Sequence, residues 1–322
     1  KTKVRANIEA IRVLRTLEAE DRPPTDAEKK VLVRYTGWGA FAQEMFDDYK
    51  DQWKKERDAL RSLISPDEYA AARASTRNAH YTSPDVIKGM WSALQYLGFK
   101  GGRAIEPGAG VGHFIGMMPE NLRADTAWTA VELDKLTGGI AKALYGAADV
   151  RIAGYETQKW PDNHFDLAIS NVPFDDAGPY DPAYKQKFTL HDYYFIKSLD
   201  KVRPGGIVAF ITSDGTMDKL NSKARREMAS RATFLGAIRL PGGNKGAFAA
   251  NAGTEVTTDI VFLRKKIEGE PAGDETWLNT AEVKTPEGPA TINAYFAQNP
   301  DMMLGKMRLT GSMYRKDSKV LI

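Results

Sequence analysis

In the first eighty residues, apolar positions recur at helical spacing. Ile8, Ile11, Leu14 and Leu17 fall on one face of a helix. Pro23-Pro24 ends that helix, and Thr25 or Asp26 is placed to cap the next one. Ser65-Pro66-Asp67-Glu68 has the form of a capping box with proline at the first helical position. From residue 80 the pattern changes. Ser83-Pro84 opens a helix that Gly98 closes, and short apolar runs then follow. They are Arg103–Glu106, Trp128–Leu133, Asp149–Ala153, Phe165–Ser170, Ile207–Thr212, Leu235–Leu240 and Asp259–Leu263. Helical stretches separate most of them, which predicts an α/β, Rossmann-like, doubly wound parallel sheet. No helical stretch separates the last two runs, so these are expected to pair antiparallel. Residues 267–322 are rich in Gly, Pro and Glu at first and weakly patterned afterwards. The expected organisation is a helical N-terminal region (1–79), an α/β domain (80–266), and a linker with an appended segment (267–322).

Composition narrows the chemistry. Of 322 residues, 42% are hydrophobic and 27% charged, ordinary values for a soluble globular protein. No apolar run approaches the ~18–20 residues of a membrane span. No signal peptide is visible, so a cytoplasmic protein without a membrane partner is expected. The first residue is Lys1 rather than Met, which suggests a piece of a longer chain. There are no cysteines, which excludes disulfides, Cys-based zinc sites and thiolate nucleophiles, including the one that carbon-5 cytosine methylation requires. The four histidines form no HExxH-like pairing, so no metal site is expected. The net charge is only +3, but residues 219–266 hold ten Lys/Arg against three acids. That stretch reads either as a patch for a polyanionic partner or as a solvated helix face.

The strongest local signal is Glu106-Pro107-Gly108-Ala109-Gly110-Val111-Gly112, between a strand and a helix. Glycines there let backbone approach a ligand closely. The next strand ends in Glu132 and Asp134, and Glu132 follows Gly112 by 20 residues. That is the spacing at which a Rossmann-type domain sets a carboxylate on ribose hydroxyls. A dinucleotide would bring a pyrophosphate to this loop, and Glu106 would repel it. S-adenosylmethionine carries an ammonium and a sulfonium instead, so it is the expected cofactor. A plain strand-to-helix turn is the bland alternative.

Ser170-Asn171-Val172-Pro173-Phe174 follows the fourth strand, about 60 residues beyond the glycine loop. An aromatic amino nitrogen is a poor nucleophile because its lone pair is delocalised into the ring. Two acceptors aimed at its hydrogens push it towards a tetrahedral, nucleophilic form. The Asn171 side-chain oxygen and the Val172 carbonyl can serve as those acceptors. Pro173 stiffens the turn, and Phe174 offers a face on which a flipped base can stack. Such catalysis is positioning plus preorganised dipoles, with no metal.

These motifs resemble the amino-group methyltransferases of the N6-adenine DNA type, in the motif order of the type I and gamma-like subgroup. Asn171–Phe174 is similar to the family's Asn-Pro-Pro-Phe/Tyr, and Glu106–Gly112 to its first motif. Tyr81-Thr82-Ser83-Pro84 is similar to its upstream Tyr-Thr-Pro. Phe248 resembles a downstream Phe that holds the target base. The resemblance covers about residues 80–266. It implies that Tyr81, Thr82, Glu106, Gly108, Gly110, Gly112 and Glu132, with Asn171, surround the cofactor, and that DNA is the substrate. Two departures stand out. Val172 replaces the family's first proline, which suggests a looser loop. Gly154-Tyr155-Glu156 stands where the family has Asp-Phe, so either Glu156 meets the cofactor's adenine or that contact is lost. Arg34–Gly39 and His191–Phe195 are similar to the methyltransferase portion of methyltransferase–helicase proteins of phages and conjugative elements. That narrower resemblance implies a helicase portion and protection of mobile-element DNA from restriction. Low sequence specificity is expected because only 56 residues follow residue 266, too few for the recognition domain that the family usually carries there. Alternatives are a protein-glutamine or RNA amino methyltransferase, or a non-catalytic cofactor- or DNA-binding module.

Overall fold

The structure is a computed structural model and describes residues 1–75, 82–242, 257–271, 273–310 and 318–322. Tyr81 and Phe248, both expected in the site, lie outside the described residues. Seven strands form one sheet: β1 (Gly102–Glu106), β2 (Thr126–Glu132), β3 (Asp149–Ile152), β4 (Phe165–Asn171), β5 (Val202–Ser213), β6 (Ala232–Leu240) and β7 (Thr258–Lys265). Their order is β3-β2-β1-β4-β5-β7-β6. Strands β1 to β5 pair in parallel, while β7 runs antiparallel to both β5 and β6. The antiparallel pairing expected of the last two runs is therefore present.

The central runs read as continuous apolar sequence because both faces of the sheet are covered. Successive residues point to opposite faces. Val208 and Phe210 pack with Phe195 and Met228 of the helices Leu190–Lys201 and Lys223–Arg231. Ile207, Ala209 and Ile211 pack with Ile87, Trp91 and Leu94 of the helix Pro84–Tyr96. The chain leaves β1 towards β2 and β3, then crosses to β4 on the other side. This switch opens a crevice beyond the carboxyl ends of β1 and β4, where Glu106 and Asn171 stand.

The N-terminal helix Thr2–Glu20 buries Ile8, Ile11, Leu14 and Leu17, as its periodicity predicts. Its partners include Leu136 and Ile140 of the helix Lys135–Leu144. A Cβ at Gly139 would come within 3.2 Å of Leu14, so the two helices approach closely there. The predicted capping box of Ser65 with Glu68 forms, and the cap expected at Thr25 or Asp26 is Thr25, in a capping box with Glu28.

Two expectations need correction. Residues 267–322 are more than a linker with an appendage. They carry the antiparallel hairpin β8 (Thr280–Thr285)–β9 (Gly288–Asn293), and the pair β10 (Met307–Thr310)–β11 (Ser318–Leu321). Trp277 stacks on Phe234 of β6, with ring centroids 4.9 Å apart and planes 12° from parallel. Ile292 and Phe296 join the same core. These anchors are spaced irregularly, which is why the segment looks unpatterned.

The basic stretch 219–266 is in large part internal. Arg239 is fully buried between Asp218 (2.8 Å) and Asp259 (2.7 Å). Arg225 is buried too, and donates to the carbonyls of Thr216, Lys219 and Leu278. Arg231 pairs with Asp200 and Glu227, and Arg264 with Glu270. In the tail, Lys319 reaches Asp218 at 2.6 Å and Arg308 pairs with Glu287. Charge counted along the chain overstated what the surface presents. Among the described residues no helix is long and apolar enough to cross a membrane.

Candidate active site

The loop after β1 folds as its glycines allow. Gly110 and Gly112 both take left-handed φ, at 56° and 78°. A Cβ on Gly112 would meet the Tyr145 ring at 2.5 Å, so the position excludes any side chain. The Ala109 amide donates to the Val131 carbonyl of β2 at 2.9 Å. Glu132 closes the loop from the side: one carboxylate oxygen accepts from the Gly110 amide and the other from the Asp134 amide, each at 2.8 Å. Glu106 is almost wholly buried at the end of β1, and its Oε2 has no hydrogen-bond partner among the described residues. Burial drives its carboxyl well above the ordinary range, and the charge of Glu132 adds to that. Burial likewise raises Glu132 to about 7, against the lowering effect of the amides that bond to it.

Strand β4 delivers the second element. Ser170 Oγ donates to the Gly108 carbonyl at 3.2 Å, tying the two loops together. A Cβ at Gly108 would lie at ordinary contact distance, 3.5 Å, from Pro173 Cδ, so the two loops stand side by side. The Asn171 amide nitrogen donates to Thr82 Oγ1 at 3.1 Å. That bond orients the amide, nitrogen towards Thr82 and oxygen away from it. The loop is not loosened at Val172, contrary to expectation. Its side chain is buried and its N–H donates to the Ile211 carbonyl of β5 at 3.1 Å. Proline has no N–H and could not make this bond. Phe174 is half-buried, edge-on to His191 with centroids 6.5 Å apart, and is not part of the described cavity lining. His191 and Asp192 are buried, and both bond Thr189 Oγ1 at the start of their helix.

A cavity of about 1190 Å³ joins these pieces. Glu106, Gly108, Gly110, Glu132, Glu156, Thr82, Asn171 and Pro173 all line it. Sequence reasoning missed several others. His113, the first residue of the helix after the glycine loop, is half-buried in the wall, and burial lowers its pKa. Leu133 lines the cavity while 74% exposed, as an apolar tip between two acids at the end of β2. Tyr194 and Leu190 contribute from the helix after β4. The N-terminal region supplies one wall through Arg15, Tyr35, Gly37 and Glu68. Buried Asn7 holds that wall, donating to the Gly37 carbonyl and accepting from the Thr36 amide. Trp38 beside it is a packed aromatic, edge-on to Tyr35 and Phe46. Among the described residues no group of three or more His, Asp or Glu is set to hold a metal ion.

No family model matches the chain. In sequence it is similar to the Defense against restriction protein B of Escherichia phage P1, 30% identical over 291 residues. That match takes in 87% of this chain, and the chain spans 11% of the phage protein's length. In structure it is similar to a type I restriction-modification system methyltransferase subunit from Streptococcus thermophilus, with a TM-score of 0.51 and 11% identity. That superposition covers 93% of this chain and 90% of the other. A class I S-adenosylmethionine-dependent methyltransferase structure from Listeria monocytogenes superposes with a TM-score of 0.49 and 14% identity, over 84% of this chain and 91% of that one. The mixed α/β architecture with a seven-stranded, mostly parallel sheet is the class I methyltransferase fold.

Proposed function

We propose that this chain transfers a methyl group from S-adenosylmethionine to the N6 amino group of adenine in DNA. The observation that carries this reading is one cavity lined both by the glycine loop with its buried acids and by Asn171 and Pro173 with Thr82. The cofactor fits the residues present. Glu106 holds a buried carboxylate oxygen without a partner among the described residues, which suits a cationic ammonium and repels phosphate. Glu132, already fixed by two amides, lies where ribose hydroxyls would reach it. Glu156 and exposed Leu133 flank the place for the adenine ring. The volume exceeds the ~300–1,000 Å³ of ordinary small-molecule sites, which leaves room for a target base.

The bound cofactor supplies an electrophilic methyl on a positively charged sulfur. The protein's task is to raise the nucleophilicity of the amino nitrogen. Asn171 Oδ1 and the Val172 carbonyl accept the two N6 hydrogens and favour a tetrahedral nitrogen. S-adenosylmethionine held beside Glu106 and Glu132 would supply the methyl and leave as a neutral thioether, and the amino nitrogen held by Asn171 and Val172 would release one proton to solvent. Thr82 keeps the amide oriented through this step, and Pro173 keeps the carbonyl in place.

The similarity to the phage Defense against restriction protein B supports a role in defence against restriction. A helicase portion in the whole protein rests only on the sequence resemblance of Arg34–Gly39 and His191–Phe195. The test is transfer of label from S-adenosylmethionine to duplex DNA, single-stranded DNA, RNA and protein offered in parallel. Label in DNA is expected. Label confined to RNA or protein would overturn the substrate, and tight binding of a nicotinamide dinucleotide in place of S-adenosylmethionine would overturn the cofactor.

A further inference from the structure

The loop from Phe174 to Thr189 is built to hold one aromatic ring out in solvent beside the cavity. It is fastened at several points. The Leu190 amide donates to the Asp175 carbonyl at 3.0 Å. Asp181 is buried, accepting from Tyr193 Oη at 2.6 Å, Lys197 Nζ at 3.0 Å and the Ala183 amide at 3.0 Å. Lys197 is itself buried, and it also donates to the carbonyl of Tyr155 at 2.9 Å. Tyr184 Oη donates to Asp200 at 2.9 Å. Between these anchors, Ala177, Gly178 and Pro179 line the cavity, and Tyr180 is 88% exposed. Tyr49 and Tyr96 are as exposed, but neither borders the cavity. What distinguishes Tyr180 is its place, between a cavity-lining proline and a buried, triply bonded aspartate.

The same edge carries ammonium groups that make no ion pair among the described residues. Lys185 and Lys187 are exposed on the loop, and Lys223 Nζ lies 6.0 Å from the ring of Phe188. A Cβ at Gly178 would fall against the Phe188 carbonyl, so this basic edge abuts the cavity mouth. Lys219 is near enough to His191 to disfavour its charging. Asp175 and Asp176 lie near the same His191, and the Asp175 carbonyl accepts from the Leu190 amide, so two acids share this end of the strip with Lys219. Of the basic residues in 219–266 and the tail, Arg225, Arg231, Arg239, Arg264 and Lys319 are committed to internal partners, whereas Lys223 makes no ion pair among the described residues.

We infer that Tyr180 is a positioning residue that enters the DNA stack where the target base leaves it, while Lys185, Lys187 and Lys223 hold the flanking phosphates. An extruded base leaves a gap whose neighbours have lost a stacking partner, and an aromatic ring can replace it. Lysines give the sequence-independent hold on the backbone that this needs. The inference rests on the methyl-transfer reading above and adds which residues engage the duplex.

The test compares the native chain with Tyr180→Ala, Tyr180→Trp and the double variant Lys187→Glu/Lys223→Glu. Tyr180 is a surface residue, so an unchanged melting temperature is expected and is checked first. On a duplex with a paired target adenine, Tyr180→Ala should lose roughly tenfold to a hundredfold in kcat/KM, as expected of one lost aromatic–base stack. On single-stranded DNA, where nothing must be extruded, the loss should be less than about threefold, and Tyr180→Trp should restore duplex activity. The lysine variant should weaken binding to both substrates and flatten its salt dependence. Equal losses on the two substrates, or none on either, would overturn the wedge. If the native chain methylates no DNA, the reading under Proposed function fails, and 2-aminopurine at the target position then decides the wedge by itself. A fluorescence rise with native protein that Tyr180→Ala abolishes supports it, and no such difference overturns it.

Discussion

Glu106 and Glu132 stand together in one wall of the cavity, and burial raises both. A carboxyl whose folded pKa exceeds its unfolded value binds its proton more tightly when folded. Its favourable contribution is complete at acid pH and is lost as pH rises through the window between the two values. For Glu132 that window runs from the ordinary 4.5 to about 7. The ligand-free protein should therefore lose stability between about pH 5 and pH 8, and Glu132→Gln should lose less, as followed by thermal melts. A cationic ligand favours the ionised carboxylates, so S-adenosylmethionine affinity measured by calorimetry should strengthen across the same window. Identical pH profiles for the native chain and Glu132→Gln would contradict this assignment. Asn171 lines the same cavity and is the acceptor proposed for the target amino group. Asn171→Ala should cost about 10²–10³ in turnover, the usual effect of removing one positioned group, with cofactor affinity nearly unchanged. Near-native turnover would move the chemistry away from this tetrapeptide.

Among the elements, the sheet depends on a segment that the sequence pattern undervalued. Trp277 stacks on Phe234, and Tyr295 meets the same ring edge-on at 4.9 Å. Trp277→Ala should lower the unfolding free energy by about 3–5 kcal/mol in denaturant titrations, as for other large buried aromatics. A change below about 1 kcal/mol would show that residues beyond β7 are dispensable to the core. The strands of the sheet were legible because each is a compact apolar run bounded by turn residues, and Glu106, Glu132 and Asn171 were legible because they terminate such runs. The N-terminal wall was not, since Arg15, Gly37 and Glu68 meet the glycine loop only through tertiary packing. The fate of the basic residues was also hidden. Arg239 joins Asp218 and Asp259, each about 20 positions away in the chain, and no local pattern signals that cluster. Val172 reads as a defect against the family's proline until its N–H is seen to extend the ladder to Ile211.

At the scale of the whole molecule, two surfaces of different sign divide the work. The cavity is rimmed by Glu68, Glu132, Asp134 and Glu156, which favours a cationic nucleoside over a phosphate. The lysines beside Tyr180 lie outside it, where a DNA backbone could pass without entering the acidic chamber. With about four such lysines available, the slope of log affinity against log salt should be no steeper than about −4. A slope near −9 would require phosphate contacts well beyond the lysines beside Tyr180.

The central claim is that the acidic glycine loop and Asn171-Val172-Pro173 act on one adenine. Its most direct test is mass spectrometry of nucleosides from duplex DNA treated with the chain and S-adenosylmethionine, with Asn171→Ala as the control. The account predicts N6-methyladenine as the sole new nucleoside, and its absence in the control. Methyl groups on cytosine, or N6-methyladenine made equally well by Asn171→Ala, would contradict it.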